Sequence, residues 1–521
     1  MRDAAGARIK NSLVNLREGV AVGMDRYDLL VGGEWEKPHS GKYEIAINPS
    51  NGAGIAECAS ADSTDTDKAI DLARETFEKG DWSELPFGKR AGVLKLAAEM
   101  MKERSGELAQ LESANGGKPI RQASFFDLTL SASCLEYYGA FEDKELRKRI
   151  EHPDYPGTYG IIDHEPYGVV GAIAPWNLPL LMASWKTAPA LLAGNSVVLK
   201  PSSYTPLSAL KFGEILYEAG LPRGTLSVVP GAGTIVGSEL ASSKKVDVLS
   251  FTGSTDTGQE VMRLASSNVK KVLMELGGKS PNIVLEDADL DKALRGSMFA
   301  VYLHAGQLCE SGTRLLLSEK IYDEFMRGLK SRTESLRVGP TDSMETDIGP
   351  VISREQLRKI ESYIASGQNE GAKMVVGGPV TEETLKAGFY VKPTVFSEVR
   401  PDMKIWTEEI FGPVLSVMKF KDEDEAVRLA NDSVYGLAGG VWSSNEERAL
   451  SVGRRIRAGT VWINDYHLLS TYAPRGGYKQ SGFGRELGKE GLHEYMQTKH
   501  YFVNVNGDVE EIAYSLIGDG A

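Results

Sequence analysis

At 521 residues the chain is longer than one hydrophobic core normally serves, so two or three domains are expected, some built from discontinuous segments. Apolar residues at 41% and charged residues at 25% fit a soluble globular protein, and no run approaches the roughly 20 apolar residues of a membrane span. A formal charge of -13 and a pI near 5.3, with no Lys/Arg block, exclude a phosphate backbone as partner.

Residues 1-24 carry Arg2, Arg8, Lys10 and Arg17 beside Asp3 and Glu18, without a continuous apolar stretch and cleavage site. They read as an N-terminal docking extension or loose tail, with a transit peptide as the alternative. LLVGGEW and YEIAINPSNGAG read as short strands and turns. Asp65 and Thr66 then cap an amphipathic helix with Ile70, Ala73 and Phe77 on one face. Further helices run to about residue 148. Cys134 falls in one of them, in register with Phe126, Leu130 and Tyr138, the spacing of a buried stripe. Cys58, in the alternating run GIAECAS, points to the same side as Ala56. Both read as packed thiols. The three cysteines, 76 and 175 residues apart, form neither a metal-ligand spacing nor a disulfide framework, and they suit a reducing cytoplasm.

From residue 168 short apolar runs alternate with helical segments: GVVGAIA, SVVLK, LSVV, VDVLSF and KKVLMEL. Successive βα units predict a parallel sheet covered by helices on both faces, with ligands bound where the strands end. The loops after the runs are PWN, KPSSYTP, GAGTIVG, TGST and ELGGK. A second set of βα signals extends from NIVLED to about residue 480. The strand-like KHYFVNV near the end suits an arm paired with another subunit's sheet.

GAGTIVG follows a strand and opens a helix, so its N–H groups could face a pyrophosphate; a tight strand-to-helix turn explains the spacing equally well. TGST repeats the pattern one unit later, and two such loops at neighbouring strand ends point to a nucleotide. Lys200 ends its strand, with Thr205 and Pro206 starting the next helix, and leaves Lys200, Ser202 and Ser203 around the cleft. Asn177 can donate to a developing oxyanion or cap the following helix. Glu275 ends a strand before Gly277 and Gly278, where the backbone can be closely approached. Cys309 lies outside any apolar stripe, flanked by Gly306 and Gly312, and precedes the strand-like RLLLS. On a short helical turn its thiolate would gain acidity; the alternative is a packed loop thiol.

The set PWNLP, VLKPS, FTGST, MELGGKSPNIV, GQLC with Arg314 five residues on, EEIFGPVLSV and GGYKQSGFGRE closely resembles the aldehyde dehydrogenase superfamily, from about Leu30 to Val503. Glu275 and Cys309 keep that family's separation of 34 residues. The resemblance implies an α/β fold with a Rossmann-like nucleotide domain (25-147 and 166-276) and a catalytic domain (277-480). It also implies a small β oligomerisation arm with the C-terminal tail (148-165 and 481-521), in a homodimer or homotetramer. The implied reaction is oxidation of a small-molecule aldehyde to its acid with NAD or NADP and water. In it Cys309 is the nucleophile, Asn177 and the Cys309 N–H stabilise the oxyanion, and Glu275 activates water for release of the thioester. The presence of Glu275 favours hydrolysis over transfer to coenzyme A. Matching the motifs places Trp176, Lys200, Ser203, Gly233, Ser254, Gly277, Glu409 and Phe411 at the cofactor, with Glu409 on the nicotinamide ribose.

One departure concerns the cofactor. NAD-preferring relatives often read KPSE, and here Ser203 stands in place of that carboxylate, so NADP is expected to be accepted. The resemblance also puts Leu178, Met182 and Trp185 on one helical face in the substrate tunnel; core packing is the alternative. His467, Leu469 and Arg475 fall near the entrance, with Glu310 beside the cysteine. Arg475, where many relatives carry an aromatic residue, could hold a distal carboxylate and favour a semialdehyde acid, or could pair with Glu310 or lie in solvent. Competing readings are a catalytically silent relative acting as a binding protein, and a cofactor-free thiol esterase.

Overall fold

The five apolar runs between residues 168 and 276 become neighbouring parallel strands whose Val, Leu and Ile side chains, apart from half-buried Val272, are buried on both faces, as a helix-covered sheet requires. The computed structural model describes residues 24–142, 144 and 146–505, so the N-terminal extension, apart from Met24, and the tail beyond 505 lie outside the described residues. In space the five strands run Lys271–Glu275, Val248–Thr252, Val169–Ile173, Ser196–Lys200 and Leu226–Val228. Gly482–Phe483 adds antiparallel at one edge, and Leu29–Val31 with Glu34–Glu36 extend the other. The chain leaves Val169–Ile173 in one direction and later returns to its other side, which makes a topological switch point beside that strand. Register aligns Ile173 with both Lys200 and Phe251, and Thr252 with Glu275. The loops beginning at Ala174, Gly253 and Leu276 therefore open on one crevice.

The second sheet has seven strands in the order Lys373–Val376, Thr394–Ser397, Val414–Phe420, Arg314–Ser318, Pro281–Val284, Ala438–Trp442 and Thr460–Ile463, parallel except for the first. RLLLS forms the strand expected of it, and every one of its residues is buried. One core fills this sheet and its helices, and two others cover the faces of the first sheet. Leu469 packs against cores of both sheets and so marks the seam between them.

A third, antiparallel sheet joins Arg147–Glu151, Thr158–Pro166 and Met496–Asn504. The terminal strand pairs on one side, along its whole length, with Thr158–Pro166 of its own chain, and forms the outer edge of this sheet on the other. Two helix starts differ from expectation. The helix Ser63–Lys79 is capped by Asp62, and Asp65 closes the capping box from the third position. Thr205 does not cap the helix Leu207–Glu218; its hydroxyl donates instead to the Trp176 carbonyl at 3.2 Å, tying down the PWN turn. Cys58 and Cys134 are both buried, as their patterns indicated. Among the described residues, no helix is long and apolar enough to cross a membrane.

Candidate active site

The cysteine loop is held in an uncommon backbone conformation. His304, Ala305 and Gly306 have φ of 50°, 53° and 73°, three consecutive left-handed residues that only a well-braced loop sustains. At Gly306 a side chain is impossible, since a Cβ would lie 2.3 Å from the Gly412 carbonyl oxygen. Gln307 supplies the bracing: its Nε2 donates to His304 O at 3.1 Å, and its Oε1 accepts from Ile352 N at 2.9 Å. Arg314, fully buried, donates to the carbonyls of Lys279, Leu429 and Ala430 at 2.7, 3.0 and 2.7 Å and locks the strand behind the loop. Cys309 itself sits on a turn, half-buried. Gly278 allows the strand-end loop to close on it, because a Cβ there would lie 2.2 Å from Cys309 O.

Asn177 reaches this loop from the first sheet. It does not cap the helix Pro179–Ala193, which has no side-chain cap; its Nδ2 donates to Gln307 O at 2.8 Å. One amide hydrogen is thereby engaged and the other remains for a ligand. Glu275 is buried at its strand end, and neither carboxylate oxygen has a hydrogen-bond partner among the described residues. Burial, then the neighbouring Glu486 charge, pushes its pKa up to about 7 against the pull of Arg475 and Lys186. Burial likewise pushes the Cys309 thiol up to about 11; Arg475 opposes this, while Glu275 and Glu409 add to it.

The expected substrate residues fall into two groups. Leu178, Met182 and Trp185 are buried on or beside the helix Pro179–Ala193, with the Arg475 guanidinium 5.3 Å above the Trp185 ring. Glu310, His467 and Arg475 form a buried polar cluster. Arg475 Nη2 forms an ion pair with Glu310 Oε2 and lies 3.5 Å from Cys309 Sγ. His467 Nδ1 lies 3.2 Å from Glu310 Oε1, and its Nε2 lies 3.1 Å from Ala300 O. Of the readings open for Arg475, the geometry is that of pairing with Glu310, and the side chain does not lie in solvent.

A cavity of about 220 Å³ runs from Cys309 and Asn177 past Trp176, Thr252, Gly253, Ser254, Gly277, Glu409 and Phe411. The Phe411 ring meets Trp176 edge-on at 5.2 Å, from a backbone at φ 58°. Glu409 accepts from Gly278 N at 2.9 Å, and a Cβ at Gly277 would lie 2.5 Å from Glu409 Oε2, so this wall can be approached only at glycine. Ser254 caps the helix Thr255–Ala265, accepting from Thr257 N at 3.3 Å. Lys200, Ser203 and Gly233 lie outside that cavity lining, at ends of other strands of the same sheet. Lys200 is buried and donates to Pro201 O at 2.8 Å, whereas Ser203 is exposed; no side chain crowds Gly233. A small-residue wall at Gly277 that a Cβ would close and the half-buried Glu409 carboxylate at the cleft together fit the ribose and ring of a nicotinamide dinucleotide.

Residues 35–501 match the profile of the "Aldehyde dehydrogenase family". The chain belongs to the aldehyde dehydrogenase family. It is 46% identical over 477 residues to betaine aldehyde dehydrogenase of Bacillus subtilis, covering 91% of this chain and 97% of that protein. It is 42% identical to retinal dehydrogenase 2 of Gallus gallus, covering 92% of each. Among solved structures, betaine aldehyde dehydrogenase from Staphylococcus aureus in complex with NAD+ superposes with a TM-score of 0.90 at 42% identity, covering 92% of this chain and 95% of that one. This aldehyde dehydrogenase is thus an oxidoreductase that oxidises an aldehyde with NAD(P)+ through its active-site cysteine.

Sequence reasoning missed the buried pair beneath the site. Lys186 Nζ donates to Glu486 Oε1 at 2.7 Å and to Ser250 Oγ at 3.0 Å, while Glu486 Oε2 has no partner among the described residues. Glu486 closes the GGYKQSGFGRE motif and Lys186 follows Trp185, so both were in view. A signal was available in Lys186, the one ionisable residue inside the largely apolar helical run LLMASWKTAPALLA.

Proposed function

We propose that Cys309, Asn177 and Glu275 share the chemistry of aldehyde oxidation in this enzyme, on an aldehyde without a net charge. The observation that carries the reading is the Glu275 carboxylate, buried and without a hydrogen-bond partner among the described residues, beside the half-buried thiol. Cys309 attacks the carbonyl carbon, and the oxygen takes up negative charge between the unused Asn177 amide hydrogen and the Cys309 backbone N–H. Bound in the cavity, NAD(P)+ supplies the hydride acceptor. Glu409 and Phe411 hold the nicotinamide ribose and ring, with Lys200, Gly233 and Ser254 toward the adenosine end. After loss of hydride a thioester remains on Cys309, and Glu275, with a pKa near neutrality, removes a proton from the water that hydrolyses it.

The preference for an uncharged substrate rests on Arg475. Its charge is already paired with Glu310, so a substrate carboxylate would have to displace a protein carboxylate that is itself buried. Leu178, Met182, Trp185 and Leu469 offer an apolar wall suited to an aliphatic or aromatic body. NADP is accepted beside NAD, because exposed Ser203 puts no negative charge against a 2'-phosphate. The enzyme assembles with copies of itself through the three-stranded arm, whose outer strand Met496–Asn504 exposes Tyr501 and Phe502 at a free edge. It works in the cytoplasm.

A panel of aliphatic, aromatic, cationic and carboxylate-bearing aldehydes, each assayed with NAD+ and NADP+, tests this reading. The highest kcat/KM should fall on uncharged aldehydes, with NADP+ turning over measurably. A semialdehyde acid as best substrate, or NADP+ essentially unused, would overturn the corresponding part.

A further inference from the structure

The Cys309 sulfur has unusual company. The groups acting electrostatically on it are Arg475, Glu275 and Glu409, with Glu310 Oε2 at 4.0 Å from Sγ. Three of these four are carboxylates, which disfavour a thiolate; the cation is Arg475. Its Nη2 reaches Sγ at 3.5 Å, hydrogen-bond distance for a sulfur acceptor. Nothing about that guanidinium is loose. Its backbone exchanges hydrogen bonds with Glu486 at 2.7 Å in both directions, its side chain lies over the Trp185 ring, and Glu310 holds the same nitrogen that faces the sulfur. His467 packs against Glu310 in turn: its ring lies between Glu310 Oε1 and Ala300 O, and burial keeps it neutral, so its single N–H donates to one of the two. Arg475 is only 5% exposed, and an arginine does not shed its proton there: burial opposes the charge, but Cys309, Glu275 and Glu486 sustain it.

We infer that Arg475 is a further catalytic residue of this enzyme, one that holds the Cys309 sulfur as the thiolate before attack. The step is a proton loss: the S–H bond breaks, the proton leaves to solvent through the open cavity, and the guanidinium N–H donates to the anionic sulfur. Once the sulfur is acylated it no longer carries that charge, so the interaction acts on the free thiol and falls away in the thioester. Glu310 keeps the guanidinium in reach, and it also limits the gain, because the two anions share one nitrogen. The inference rests on Cys309 being the nucleophile.

The test follows the rate of Cys309 alkylation by iodoacetamide against pH in the full-length enzyme, with Cys309→Ser as the blank and as the check on the underlying reading. Arg475→Gln and Arg475→Met should each raise the midpoint by about 1–3 units. Below the midpoint each unit means about tenfold slower alkylation at a given pH. Arg475→Lys should restore part of the shift, and the acid limb of kcat/KM should move with the alkylation midpoint. Cofactor binding followed by fluorescence verifies that each variant is folded. Should neither neutral variant fold, Glu310→Gln gives the reading, since freeing the guanidinium from its competitor should lower the midpoint. A midpoint unchanged in a folded neutral variant, or unchanged in Glu310→Gln where those fail, overturns the inference. Retained turnover in Cys309→Ser would instead overturn the reading of Cys309 on which it rests.

Discussion

Two buried glutamates flank the same sulfur and could hardly be treated more differently. Glu275, at the end of a strand of the first sheet, has no hydrogen-bond partner on either oxygen among the described residues. Glu310, next to Cys309 in the second sheet's loop, has Arg475 on one oxygen and His467 on the other. A buried carboxylate without partners is costly to the fold and is held near neutrality, ready to exchange a proton. A buried carboxylate with a cation on it is a fixed charge that positions its partner. The contrast assigns proton transfer to the first and geometry to the second, although both are glutamates lining the same thiol.

The largest effect should come from removing the free carboxylate. Glu275→Gln should lower steady-state turnover by about 10²–10⁴-fold, the range for loss of a positioned acid or base, while a first burst of reduced cofactor survives. Rapid-mixing absorbance of the reduced nicotinamide separates the two phases; loss of burst and turnover together would place Glu275 before thioester formation. Next in size is stability, where the two sites should part. Glu310→Ala takes the paired carboxylate from the buried Arg475 charge and leaves it only the more distant Glu275 and Glu486, at a cost of up to about 3–5 kcal/mol, and should lower the thermal midpoint clearly. Glu275→Gln, which replaces an unpaired charge by a neutral group, should leave that midpoint unchanged or raise it; equal losses at the two sites would break the comparison. The smallest effect is the pH dependence. Because the Glu275 pKa is raised to about 7, the base is protonated and inactive below that pH. When deacylation limits, kcat should rise about tenfold per unit up to neutrality and level off above it. A flat profile from pH 5.5 to 8 would show that another step limits or another group is the base.

Much of this site could be read along the chain, because the groups that carry it are local. Cys309 stood apart from Cys58 and Cys134 by lacking an apolar stripe, and the five apolar runs placed Asn177, Lys200 and Glu275 at strand ends. What stayed hidden depends on pairings across long sequence separations. Lys186 and Glu486 are 300 residues apart, and neither carries a local mark of its partner. The choice among partners for Arg475 is set by a loop 165 residues earlier. The cap at Asp62 was missed because Asp65 and Thr66 are themselves good cap formers, and only the capping-box hydrogen bonds decide the start. Met496–Asn504 reads as a strand, but its hydrophobic pattern does not say whether the complementary edge belongs to the same chain or to another.

The central claim, that Cys309 carries the acyl group and Glu275 releases it, is tested most directly by trapping. Glu275→Gln enzyme mixed with aldehyde and NAD+, quenched in acid and digested, should show the acyl mass on the peptide containing Cys309, at close to one per active site. Wild-type enzyme treated alike should show little of it. Absence of the adduct from Glu275→Gln, or its presence on any residue other than Cys309, would contradict the account.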